Sequence, residues 1–234
     1  MLARGVTVLL AFVIFLALQT FRTAKETAGE EAVATTQLYR TTALLPEPGG
    51  SNLQGDLVCY ARAVVEKEWR TMSAGRESSA VQGWLDRMSS SIASISPENQ
   101  RETTAYSQWF DQDAQRREGR RGRLAQAEPF VPSLLWIVLV VGALLVIGYM
   151  FLFADPKERR RVQVYMVAGV TAVIASGLVV VAFLDSPYGE HAGAIHPTEM
   201  QRTLHLIEQT RTPPFASLHV PCDNRGRPEE AARK

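Results

Sequence analysis

The chain has 234 residues, with 25 Lys and Arg against 24 Asp and Glu, so its net charge of +1 offers no overall field to nucleic acid. At this length it would make one or two ordinary soluble domains. A 46% hydrophobic content and a mean hydropathy of -0.05 suit such a domain only as averages, because apolar and polar residues are segregated into blocks. Arginine outnumbers lysine 21 to 4, a bias that points to a GC-rich bacterial genome.

Residues 1–21 open with Gly5–Phe21, an apolar stretch behind the basic Arg4. Its 17 residues sit at the lower limit for a membrane span. No small-x-small cleavage site follows, so it reads as an uncleaved N-terminal membrane helix, truncated in length, rather than as a signal peptide. Residues 22–130 show no strand-like alternation and read as a water-facing helical segment. The first helix continues through Phe21, Ala32, Leu38 and Leu45 to the breaker at Pro46–Gly50. A second runs from about Asn52 to Met72, with Leu53, Leu57, Tyr60, Val64 and Trp69 on its buried face. A third covers Ser79 to Ile95. Ser96-Pro97-Glu98 then has the form of a helix start, capping serine, proline at the first helical position and an acid in the first turn, opening a long polar helix towards Gly122.

Residues 131–153 and 162–184 are each 23 residues without a charge. Each spans roughly 34 Å as a helix, enough for a hydrocarbon core about 30 Å thick. Trp136, Tyr149 and Tyr165 lie near their ends as interfacial anchors do. Between them, residues 154–161 form a short basic hairpin loop carrying Lys157, Arg159, Arg160 and Arg161. The tail, 185–234, opens on a turn at Asp185–Gly189 and carries a short helix from Pro197 to about Gln209. Beyond Pro213-Pro214 its composition predicts a disordered end. The fold class expected is therefore all-α: an integral membrane protein with a long transmembrane helical hairpin, a shorter N-terminal membrane helix and a membrane-proximal helical bundle.

Two spans separate residues 22–130 from the tail, so both lie on one side. A short basic loop normally stays cytoplasmic, yet Arg22, Lys25 and the arginines at 116, 117, 120, 121 and 123 pull the other way. Cys59 and Cys222 lack metal-site spacing and read as two ordinary thiols; with the loop in the cytoplasm they would share an oxidising compartment and could pair.

The polar feature that stands out is the arginine cluster. On a helix Arg116, Arg120 and Arg123 share one face beside Gln112, just outside the membrane. With Arg121 they are the candidates for contact with an anion at a vestibule or with anionic lipid headgroups, against the plainer role of a basic flank that orients the helix. The two long spans hold no ionisable residue, which disfavours coupled transport. Ala168, Ala172 and Ser176 make a small-residue stripe suited to helix packing. His191, His196 and His205 lack metal spacing and read as solvated loop histidines. No nucleophile elbow, phosphate loop or triad signature is present, so no catalytic, cofactor or metal residue is predicted and an enzyme is not expected.

The blocks Phe21-Arg22, Glu30-Glu31-Ala32, Leu38-Tyr39-Arg40 and Leu45-Pro46 resemble the opening of the bacterial bestrophin-like domain family. Tyr60 with Glu66, Glu68 and Trp69 continues the match, as do Arg120-Arg121 with Arg123-Leu124, then Pro132 and Trp136, and Leu184–Gly189 followed by Ile195 and Pro197. The likeness runs over about residues 11–208. It implies a plan of two spans, a cytoplasmic-type helical segment, two further spans and a tail, from which the first span is missing here. Bestrophins proper are oligomeric anion channels, so the resemblance implies a multi-pass protein of a bacterial inner membrane, homo-oligomeric and conducting small anions, with the lipid bilayer as its other partner. The alternative is a membrane-anchored scaffold or sensor binding a protein through residues 22–130; a third reading is a binder of anionic lipid.

Overall fold

The computed structural model describes residues 2–72, 74–152, 160–210 and 219–229. The order is α1 (Leu2–Thr42), α2 (Gly49–Ala63), a π-helical turn (Val64–Glu68), α3 (Trp69–Met72), α4 (Ser79–Ala93), α5 (Gln100–Ala125), α6 (Ser133–Leu152), α7 (Arg160–Leu184) and α8 (Thr198–Thr210). Among the described residues there is no strand, only an isolated bridge between Cys222 and Pro228. The protein is all-α and of membrane type, with three helices long and apolar enough to cross a bilayer: the N-terminal part of α1, α6 and α7.

The chain divides into two units, each with its own core. The membrane unit comprises Met1–Thr23, Glu128–Pro187 and His191–Ala194. Its interior is thin: Val13, Val131, Leu139 and Val181 are buried, with Leu10, Ile14, Leu135 and Leu178 packed around them. Small residues let the helices close up, and a Cβ on Gly177 would meet the Leu10 side chain at 2.7 Å. Elsewhere Phe12 and Phe15 on α1, Leu134 and Leu144 on α6, and Val164 and Val173 on α7 stay exposed. Helices apolar all round make sense only in lipid or against neighbouring helices. Asp185, 7% exposed just beyond α7, accepts the Val131 N–H at 2.7 Å and the Trp136 indole N–H at 3.3 Å. It thereby satisfies an otherwise orphaned backbone donor ahead of α6.

The helical unit comprises Ala24–Ala127, Tyr188–Glu190 and Ile195–Lys234. Leu53, Leu57, Val58 and Tyr60 of α2, Val81, Trp84 and Met88 of α4, and Met200 and Ile207 of α8 form its main core. Thr203 of α8 donates to the Ala32 carbonyl at 3.0 Å and lies 3.0 Å from the Thr36 hydroxyl, seating α8 on α1.

Four expectations change. The long polar helix does not start at Ser96-Pro97. Asn99 is its N-cap, accepting the Glu102 N–H at 2.9 Å while Glu102 takes the Glu98 N–H at 2.8 Å. This reciprocal box satisfies two donors where the serine would satisfy one. The second helix is not uniform, because a π turn interrupts it at Val64–Glu68. Residues 153–159, most of the basic loop, lie outside the described residues, as do 211–218 and 230–234 of the tail. The intervening residues 219–229, expected to be disordered, are instead folded against α2 and α4: Cys222 is bonded to Cys59, so these are not two free thiols.

Candidate functional site

The arginine face of α5 forms as its spacing predicts, but what it meets is acidic. Arg116 is 3% exposed and Arg123 fully buried. The Arg123 guanidinium donates from Nε to Glu31 Oε2 at 2.5 Å and from Nη2 to Glu31 Oε1 at 3.1 Å and Glu68 Oε2 at 2.6 Å. Its third nitrogen lies 3.1 Å from the Met72 sulfur, and its plane stands over the Trp69 ring at 5.2 Å. Arg120 grips the other side of Glu68, with Nη2 2.6 Å from Oε1 and Nε 3.2 Å from Oε2. Arg116 holds Asp113 through two nitrogens and donates to the Tyr60 hydroxyl at 3.3 Å. That hydroxyl in turn donates to Glu31 Oε1 at 2.5 Å.

The formal charges balance, with Arg116, Arg120 and Arg123 against Glu31, Glu68 and Asp113. Burial opposes ionisation of Glu68, but the hydrogen bonds and charge of Arg120 and Arg123 outweigh it and hold the carboxyl below the ordinary range. Burial likewise opposes the charge on Arg123, yet Glu31 and Glu68 prevail and hold it more firmly protonated. For Tyr60 burial comes first and the Glu31 carboxylate second, and both drive the phenol upward, so it stays a neutral donor. Buried ions persist only when paired and hydrogen-bonded in this way.

Local geometry makes the cluster possible. Gly119 and Gly122 let α5 lie directly on α1: a Cβ at Gly119 would sit 2.6 Å from the Glu31 nitrogen, and one at Gly122 2.5 Å from Thr27 Cγ2. Tyr60 and Glu68 are eight positions apart, which on a regular α-helix puts them about 80° apart around the axis. The π turn between them inserts one residue, so Glu68 takes the place of an i+7 neighbour, about 20° away, and both reach α5. Around the rim, Trp69 donates to the Ile195 carbonyl at 3.0 Å and packs edge-on against Tyr188, whose hydroxyl donates to the Ala24 carbonyl at 2.7 Å. Burial pushes the Tyr188 phenol upward.

This corrects the expectation of an arginine face open to anions or lipid. Arg116, Arg120 and Arg123 are engaged by carboxylates of this same chain. Of the four candidates only Arg121 is left mainly to water, 78% exposed with a 3.6 Å pair to Glu118. The arginine spacing was readable because i, i+4 and i+7 is a local pattern. Their partners Glu31 and Glu68 stand among the family-like residues, but nothing local links them to arginines 92 and 52 to 55 positions away. Among the described residues no group of three or more His, Cys, Asp or Glu side chains gathers to hold a metal.

Apolar helices fit for a bilayer and a polar cluster that locks α1, the α2–α3 rod and α5 together define a helical membrane protein whose charged residues serve its architecture. A family model for the bestrophin-like domain matches residues 5–193, and the chain belongs to that family. Its fold is similar to that of a crystallised bacterial bestrophin homologue from Klebsiella pneumoniae, a single-site variant, with a TM-score of 0.68 at 16% identity over 89% of this chain and 84% of that one. A second variant of that homologue gives 0.69 at 15% over 88% and 85%. A structure described as a membrane protein variant gives 0.67 at 16% over 89% and 82%. Identities this low speak for the fold. No curated protein sequence matches the chain.

Proposed function

We propose that this chain is one subunit of an oligomeric channel for small anions in a bacterial inner membrane. The observation that carries the reading is the bestrophin-like domain over residues 5–193, a domain of a family whose known members are anion channels. The membrane unit suits assembly. Its buried core is slight, and α7 presents Ala168, Thr171, Ala172 and Ala175 to an open, mostly apolar groove of about 680 Å³ that a neighbouring copy would cover. Thr171 and Ser176 are the polar groups at depth in a span with no ionisable side chain, which favours passive conduction over coupled transport.

In the helical unit a polar groove of about 460 Å³ is lined by Gln37, Gln108, Gln112 and Gln115 together with the exposed Arg40 and with Asp111. Amide donors and one guanidinium suit a partly hydrated small anion better than a dehydrated cation. Arg121, the exposed one of the four candidate arginines, is the residue we assign to contact with an anion or a lipid headgroup. The test is chloride flux and single-channel recording from purified full-length protein in liposomes, with the oligomer verified beforehand. Anion currents that fall when Arg40 is changed to glutamine are expected. Silence from a verified oligomer would overturn the reading, and recovery of a different protein crosslinked to residues 22–130 would then favour a scaffold.

A further inference from the structure

Within the helical unit, α1, α2 and α8 border a second cleft, of about 150 Å³. Thr36, Tyr39, Arg40 and Ala43 stand at i, i+3, i+4 and i+7, the spacing that puts side chains on one face of α1 and the turn that ends it. Leu206 and Ile207 of α8 form the facing wall, one turn along from Thr203, whose hydrogen bond to the Ala32 carbonyl seats α8 on α1. The apolar part of the lining is therefore Tyr39, Ala43, Leu206 and Ile207. Tyr39 and Ile207 are buried, whereas Leu206 is 47% exposed.

The polar groups of the lining differ in how far the protein itself engages them. The Thr36 hydroxyl donates to the Ala32 carbonyl at 3.1 Å and lies 3.0 Å from the Thr203 hydroxyl. The Gln54 amide, on the α2 side, is tied to the Tyr39 carbonyl at 3.3 Å. Arg40 is exposed, and its guanidinium has no hydrogen bond or ion pair among the described residues. An apolar cavity of this size has room for one benzene ring. The planar fork of a guanidinium matches a carboxylate. An apolar wall with one placed charge is the ordinary make-up of a small-molecule site. A halide would meet the charge of Arg40 but leave the apolar wall wet, and a neutral ring would cover the wall but leave the cation unpaired.

We propose that this cleft binds a small aromatic carboxylate, its ring against Tyr39, Ala43, Leu206 and Ile207 and its carboxylate on the Arg40 guanidinium. Benzoate is the simplest molecule of this class, and a long acyl chain exceeds the space. The site is separate from conduction, since a ligand can be held here whether or not ions pass. Arg40 also lines the polar groove assigned above to anions, but Ala43 does not, so Ala43 and the choice of ligands carry the test.

The experiment is isothermal titration calorimetry on the purified full-length protein in detergent, with its oligomer verified and ionic strength held constant. Sodium benzoate, benzamide, sodium acetate and sodium octanoate are titrated in parallel, each against a detergent blank. Saturable heat is expected with benzoate. Benzamide, which keeps the ring without the charge, and acetate, which keeps the charge without the ring, should each bind about tenfold or more weakly, the scale of one charge-assisted hydrogen bond. Ala43→Leu fills the cleft and Arg40→Met removes the cation, and each should weaken benzoate by a similar factor while Tm stays near that of the unmodified protein. If a variant fails to fold, the four ligands on the unmodified protein still decide. No saturable heat with benzoate, the result expected if a second copy of the chain covers the cleft, would overturn the proposal. So would benzamide or acetate binding as tightly as benzoate, octanoate binding as tightly, which would mean a lipid chain, or full affinity in a folded Ala43→Leu variant. Anion currents in liposomes without benzoate test conduction alone, so the two readings fail separately.

Discussion

Replacing Arg123 with alanine should be the most damaging single change in the helical unit. The guanidinium is fully buried and binds two carboxylates that are themselves buried, Glu31 at 1% exposure and Glu68 at 0%. Glu68 would keep its two-pronged contact with Arg120, but Glu31 would keep only the Tyr60 hydroxyl among the partners described above. Breaking a buried pair by removing one member costs about 3–5 kcal/mol, because a charge is stranded. At about 2–4 °C per kcal/mol for a chain of this size, the loss is about 6–20 °C in Tm. Thermal unfolding in detergent, followed by tryptophan fluorescence, reads it directly, since Trp69 stacks 5.2 Å from the Arg123 guanidinium. The same logic predicts strong coupling. Arg123→Met combined with Glu31→Gln removes both charges while keeping volume, and should cost clearly less than the sum of the two single changes. An Arg123→Ala variant within about 3 °C of wild type, equivalent to about 1 kcal/mol, would refute the reasoning, and so would strict additivity in the cycle.

Glu68 contributes to the acid limb of stability. Its folded value lies below its unfolded one, so its contribution is complete above the unfolded value of about 4.3 and is lost as pH falls through the lower, folded value. Unfolding midpoints should hold down to about pH 5 and drop below pH 4, and Glu68→Gln should lower the plateau while making that drop shallower. Gly119→Val should cost about 1–3 kcal/mol, read as a lower denaturant midpoint, because α1 backbone lies 2.6 Å from where a Cβ would be; an unchanged midpoint would mean the α1–α5 crossing is looser than described. Reducing the Cys59–Cys222 bond, which closes 163 positions, should lower stability by up to about 5 kcal/mol, measured as a drop in Tm on adding reductant to the purified full-length protein.

Much of this architecture was readable because it is local. Runs of 23 uncharged residues declare themselves whatever they pack against, and α6 and α7 follow within a few positions of those limits. The short tail helix was placed within one residue at either end, since Pro197 and the polar stretch beyond it punctuate the chain. Two local signals compete at the start of α5: Ser96-Pro97 has the form of a helix start, but Asn99 with Glu102 closes a reciprocal cap three residues on. The polar cluster was half visible. The arginine spacing is a property of α5 alone, while the carboxylates that complete it come from α1 and from beyond a π turn that no simple periodicity announces. The fate of residues 219–229 was hidden for the same reason. Their composition is that of a solvated tail, and one cysteine with one indole partner overrides it.

The π turn at Val64–Glu68 also makes this helix unusual in how it should tolerate changes of length. The rod carries one residue more than straight winding from Tyr60 to the Arg120 and Arg123 side of α5 demands. Deleting Lys67, ordinarily among the harshest lesions a buried helix can suffer, would let the turn relax to regular α geometry and leave the acid of Glu68 facing the same guanidinium groups. Adding a residue there would have no such slack to draw on. Insertions and deletions at this one place should therefore be sharply unequal in effect, and chains of two lengths can share one polar lock.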